Sequence, residues 1–217
     1  MRRPSVTATV RTWGIGVGPR DDTTTKDLNM TQRNTIARSL SEVGLAAWFG
    51  GSLMGAIGVN GAAAEVDAPG QRARVANAGW SRWTPVNAAA IGAHLLGGVV
   101  LTGGNKGRIA GQKGVASTTI AKTAVTVGAL AATGYARVLG QKMINAGDVP
   151  VEGGTDPSAA TPPEVAGAQR KLNALQWVIP ALTGTLLVMD ALMGEQQRPS
   201  QAASGFVQRL LPDALAA

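Results

Sequence analysis

Two stretches of this 217-residue chain run for more than twenty residues without a charged side chain: Val43 to Ala64 and Trp83 to Asn105. A helix rises about 1.5 Å per residue, so either stretch is long enough to cross a hydrocarbon layer of about 30 Å. An amphipathic helix on a soluble domain carries charge every turn or two along its outer face, and these two do not. Two further stretches have similar length with a little decoration. Ser117 to Leu139 holds Lys122 and Arg137 near its ends, and Leu172 to Met193 is interrupted only by Asp190. The sequence therefore predicts an all-α chain, an integral membrane four-helix bundle with spans at about 43–64, 83–105, 117–139 and 172–193 and with polar, largely disordered termini.

Whole-chain averages conceal this pattern. Mean hydropathy is only +0.08, because polar segments dilute the apolar ones. Residues 1–38 read as a mostly disordered tail, with Met30, just ahead of TQRNTIARSL, as a second candidate start. Arg2 and Arg3 are not followed by an apolar run, so no secretory signal is visible. The segment 143–171 is rich in Pro, Gly, Thr and acid, a composition with too little apolar surface to fold alone, and it reads as an external tether. Residues 195–217 form a second tail, in which Phe206, Val207, Leu210 and Leu211 share one helical face and predict a short interfacial helix.

Lys and Arg concentrate on the cytoplasmic side of membrane proteins, and the loops differ accordingly. With the N-terminus inside, the inner segments hold Arg2, Arg3, Arg11, Arg20, Lys26, Arg33 and Arg38, then Lys106, Arg108 and Lys113, then Arg198 and Arg209. The outer segments hold half as many: Arg72, Arg74, Arg82, Lys142, Arg170 and Lys171. Both termini are thus expected in the cytoplasm. Fourteen of the 20 basic residues are Arg, and with abundant Ala, Gly and Val this points to a GC-rich bacterial genome and hence to a bacterial plasma membrane.

What is missing narrows the chemistry. The chain has no cysteine, which removes disulfides, thiolate zinc sites and cysteine nucleophiles, and its single histidine removes multi-histidine metal sites. No catalytic residue, cofactor or metal is expected. A net charge of +7 raises the question of nucleic acid, but the bases lie between long charge-free stretches, and no nucleic-acid partner is expected. The Gly14–Gly18 segment GIGVG is followed by Pro19, and loop 103–114 lacks a hydroxyl after its lysine, so neither is a phosphate loop.

Helices associate in lipid through small residues that let backbones approach. Gly51 and Gly55 form such a pair, with Gly58 and Ala62 continuing the face; Gly97 and Gly98 serve the second stretch, and Gly128, with Ala132, the third. Trp48, Trp80, Trp83 and Trp177 read as interfacial or near-interfacial anchors, with a deeper position the alternative for Trp48, and Pro180 predicts a kink in the fourth stretch.

Ionisable groups within a membrane are costly and usually face the helical interior. Three qualify: His94, Lys122 and Asp190. Lys122, Thr126, Ala129, Thr133 and Arg137 fall on one stripe of a helix; Gln176, Pro180, Thr183, Leu187 and Asp190 fall on another, and Asn87, Ile91, His94 and Gly98 on a third. Antiparallel threading puts Lys122 and Asp190 at similar depth, where they are expected to pair with Glu42 nearby, while His94 is expected to bond a backbone carbonyl. These features predict a small non-catalytic membrane protein that works through helix association, an accessory or structural subunit of a bacterial membrane complex whose partners are lipid and either a membrane protein or a second copy. The alternative is a small transporter or hydrophobic-ligand binder, with His94, Thr126, Thr133, Thr183 and Asp190 around a central pocket beside Lys122.

Overall fold

A computed structural model of the chain describes residues 22–104 and 115–195, with side chains described for 34–104 and 116–194. The charged loop at 105–114, the tail before residue 22 and the interfacial helix expected near Phe206 lie outside the described residues. Residues 1–33 and 34–217 form two compact units; packing is described within the second.

Six helical segments follow one another among the described residues: α1 Asp22–Met54, a π-helical turn Gly55–Val59, α2 Asn60–Ala64, α3 Pro69–Gly104, α4 Val115–Ala146 and α5 Pro163–Glu195. The described residues contain no strand, only an isolated bridge between Val151 and Pro157. Three helices are long and apolar enough to cross a membrane, Asn34–Ala64, Pro69–Gly104 and Pro163–Gly194. The third expected span falls within α4, which Lys122 and five threonines leave outside those three.

The helices outrun the apolar stretches. α1 starts at Asp22, inside the tail expected to be mostly disordered and ahead of the helical-looking TQRNTIARSL, since no Gly or Pro interrupts Asp22 to Val43. Pro69 and Pro163 each open a helix, where a missing N–H costs nothing. α4 ends at Ala146, followed by Gly147 at φ +71, the left-handed position that favours glycine after a helix.

α1 lies between α3 on one side and α4 and α5 on the other. On the α3 side, a side chain at Gly44 would strike the carbonyl of Ala90 and the backbone N of His94, and one at Gly97 would strike the Ala37 carbonyl and Ser41. The indole of Trp83 covers Gly51 and that of Trp80 covers Gly55. On the other side, Leu45 and Trp48 form one core with Ala129 of α4 and with Ile179 and Leu186 of α5. Leu139 and Met143 of α4 pack on Ala168 of α5 in a second core.

The expected α1 face Gly51–Gly55–Gly58–Ala62 fails after Gly55. The π turn adds one residue to the helical turn, so Asn60 and Ala63 are buried while Ala62 is exposed. Trp48 is fully buried, Trp80 and Trp83 are inserted against α1, and of the four only Trp177 is on the surface, 51% exposed.

Residues 147–162 do not form a tether. Their composition prevents folding alone, but docking supplies what they lack. Val151 is fully buried, its N–H meets the Pro69 carbonyl, and Thr161 donates to the Pro150 carbonyl at 2.6 Å. Arg72 donates to the carbonyls of Val66 and Glu152, and the amide of buried Gln169 donates to the Gly153 carbonyl. Two acids of this segment have nearby bases, Glu152 beside Arg72 and Asp148 beside Arg74, and the third, Asp156, accepts from the Asn173 amide.

Candidate functional site

Three sets of polar groups stand out on the helices. The first joins α4 to α5 away from the docked loop. Lys122 Nζ lies 2.5 Å from Asp190 Oδ1, with both side chains about four-fifths buried, and Asp190 Oδ2 has no hydrogen-bond partner. Glu42 is exposed and forms no ion pair with Lys122 among the described residues. Thr126, one turn on, donates back to the Lys122 carbonyl.

The second set joins α1 to α3. His94 is buried, and its Nδ1 lies 3.1 Å from both the carbonyl and the hydroxyl of Ser41. The Ser41 hydroxyl is also 3.2 Å from the His94 carbonyl. A proton on Nδ1 donated to the Ser41 carbonyl, with the hydroxyl donating to the His94 carbonyl, satisfies Nδ1 and the hydroxyl together. Gly44 and Gly97 flank this reciprocal contact, which depends on the backbone approach they allow.

The third set lies at the loop end. Trp80 Nε1 donates to Asn60 Oδ1 at 2.9 Å, and Asn60 Nδ2 donates to Gln176 Oε1 at 2.7 Å. Thr155 reaches the same Gln176 oxygen, and Asn173 donates to Asp156. The amides of α2 and α5 thus tie the helices to the loop. The π turn is what brings Asn60 round to this position.

Beside the third set is a cavity of about 390 Å³. α3 and α4 form its walls, α1 and α5 contribute Ser52 and Ile179, and Gly154 and Thr155 close its loop end. Trp83 and Asn87, one turn apart on α3, line it, and Trp83 Nε1 and Asn87 Oδ1 are buried without a partner. Arg137 of α4 also lines it and is exposed.

The sequence-predicted residues therefore separate. Lys122 meets Asp190, and His94 meets Ser41; no hydrogen bond joins the two contacts among the described residues, although the charges of Lys122 and Asp190 act on the His94 ring. Thr133 accepts from Trp48 Nε1, and Thr183, fully buried, donates to the Ile179 carbonyl. Of the five residues expected around a central pocket, only Thr133 lines the cavity; the space near the others is filled by the core of Leu45, Trp48, Ala129, Ile179 and Leu186. Of the packing glycines, Gly51, Gly55 and Gly97 have neighbours pressed on them, Gly128 is 3.9 Å from Leu182, and Gly98 faces open space.

Sequence reasoning missed Ser41, Gly44, Asn60 and Gln169. Ala37, Ser41, Gly44, Trp48, Gly51 and Gly55 recur every three or four residues, a stripe visible in the sequence. Asn60 gave no such signal, because its burial depends on the π turn.

Among the described residues no group of His, Cys, Asp or Glu is placed to hold a metal ion. Comparison with known protein families, with curated proteins and with solved structures finds no match. The functional reading therefore rests on the geometry alone.

Proposed function

We propose that this chain is a small non-catalytic integral membrane protein of a bacterial plasma membrane, with four spanning helices, both termini cytoplasmic, that acts through lateral association with a membrane-protein partner or a second copy. Its outward surface supports the membrane part. Val43, Leu96, Val99 and Ile120 are each 66% to 72% exposed, more apolar surface than a soluble monomer ordinarily leaves to water. α4, though more polar, packs along α5 and spans with it.

The observation that carries association is the state of the helical glycines. A glycine inside a helix costs about 1 kcal/mol relative to alanine. Gly44, Gly51, Gly55 and Gly97 have a reason within the chain, since another helix lies on them. Gly50 on α1 and Gly92 and Gly98 on α3 have open space where a side chain would be. Small residues facing outward are the places where a further helix can approach closely.

The test is crosslinking in native membranes followed by mild-detergent purification of a tagged copy and mass spectrometry. A stoichiometric membrane-protein partner, or a homo-oligomer, lost on Gly92→Leu with Gly98→Leu supports the reading. A monomer that crosslinks to nothing overturns it. The alternative of a small transporter or hydrophobic-ligand binder has one observation in its favour, the cavity, at residues other than His94, Lys122 and Asp190.

A further inference from the structure

A largely apolar cavity and one cation without a carboxylate partner among the described residues coincide between α3 and α4, and we propose that the cavity there binds a single-chain anionic amphiphile drawn from the surrounding lipid. This inference rests on the membrane reading above and goes beyond association. At about 390 Å³ the cavity is at the small end of ligand pockets, suited to one acyl chain rather than a two-chain phospholipid.

The lining assigns the ends of the ligand. Ala88, Ile91 and Leu130 offer an apolar wall, and Ile179 an apolar floor. Arg137 has no carboxylate partner among the described residues. A guanidinium with its donors free favours a carboxylate or phosphate. The head group therefore belongs at Arg137, which lines the cavity and is exposed.

The route is sideways. Gly154 and Thr155 close the cavity at the docked loop, whereas the lining residues that reach the surface include Ser81 and Ala88 on α3 and Gly134 and Arg137 on α4. A mouth between two spanning helices opens toward lipid rather than toward water. With both termini inside, it belongs to the outer half of the bilayer, the half nearer loop 147–162.

The experiment uses the full chain in phosphatidylcholine nanodiscs, with Trp13→Phe and Trp177→Phe so that the remaining tryptophans are those of the helical interior. Dibromostearate, whose bromines quench indole emission on contact, is titrated in. Expected is saturable quenching, an apparent Kd raised about ten-fold by Arg137→Gln, the loss of roughly one charge-assisted bond, and no saturable component in Ala88→Phe, which fills the mouth. The neutral dibromostearyl alcohol binds about ten-fold more weakly than the acid for the same reason. Quenching that stays linear, or that is the same for acid and alcohol and for all three proteins, overturns the proposal while leaving the membrane reading intact. Failure of the chain to enter nanodiscs, seen by size exclusion before any titration, overturns both.

Discussion

At the scale of single residues, the Lys122–Asp190 pair and the His94–Ser41 contact both join helices, but they differ in kind. The first pairs opposite charges in a setting where neither is cheap to leave alone. Removing one partner of a buried pair costs on the order of 3 kcal/mol, whereas replacing both by apolar residues of similar size is often near neutral. Lys122→Leu should therefore lower the Tm of the detergent-solubilised protein clearly, Asp190→Leu likewise, and the double variant much less than their sum. Strict additivity would show that the two do not interact. Full function in a stable double variant would further argue that the pair serves structure. The second contact is neutral and reciprocal, and Ser41→Ala leaves His94 with the Ser41 carbonyl alone. The expected loss is about 1 kcal/mol, read as a smaller Tm shift than that of Lys122→Leu; an equal or larger shift would contradict it.

At the scale of elements, the close approach of α1 to α3 makes the sharpest prediction. Gly44 and Gly50 lie in the same helix, one pressed against backbone and one open. Gly44→Ala should destabilise by about 1–3 kcal/mol through overpacking, while Gly50→Ala should be neutral or stabilise by up to about 1 kcal/mol through helix propensity. Equal effects in thermal unfolding would refute the packing described here. Much of this level was legible in sequence. Charge-free length gave the helices around Val43–Ala64 and Trp83–Asn105, and opposed threading brought Lys122 to Asp190. The face of α1 was legible only as far as Gly55, because hydrophobic spacing assumes a regular helix and the π turn is an irregularity that side-chain chemistry does not announce. The docked loop was misread for a related reason. Composition reports whether a segment can fold alone, and residues 147–162 fold on Pro69, Arg72 and Gln169, which lie elsewhere in the chain. The cavity was illegible because it depends on how far apart α3 and α4 stand.

At the scale of the whole molecule, the proposed threading places the docked loop outside and the charged loop at 105–114 inside. The absence of cysteine makes this simple to check. Asp148→Cys, at an exposed loop position, should react with a membrane-impermeant maleimide on intact cells, and Lys106→Cys only after permeabilisation. The reverse pattern would invert the topology, and labelling of both on intact cells would remove the membrane reading of at least one helix.

The polar contacts at the loop end also imply an order of events as the chain leaves the ribosome. Proteins acquire their structure from the N-terminal side during synthesis. Trp80 can meet Asn60 as soon as α3 has emerged, and the glycines of α1 and α3 allow that pair of helices to close without help from later residues. Gln176, the acceptor for Asn60, and Gln169, which holds the loop, lie on α5 and arrive last. Until they do, the Asn60 amide has a donor to spare, and the loop has nothing to fold against. The final helix therefore completes the fold, since it alone supplies the acceptor for the Asn60 amide and the Gln169 donor to the loop.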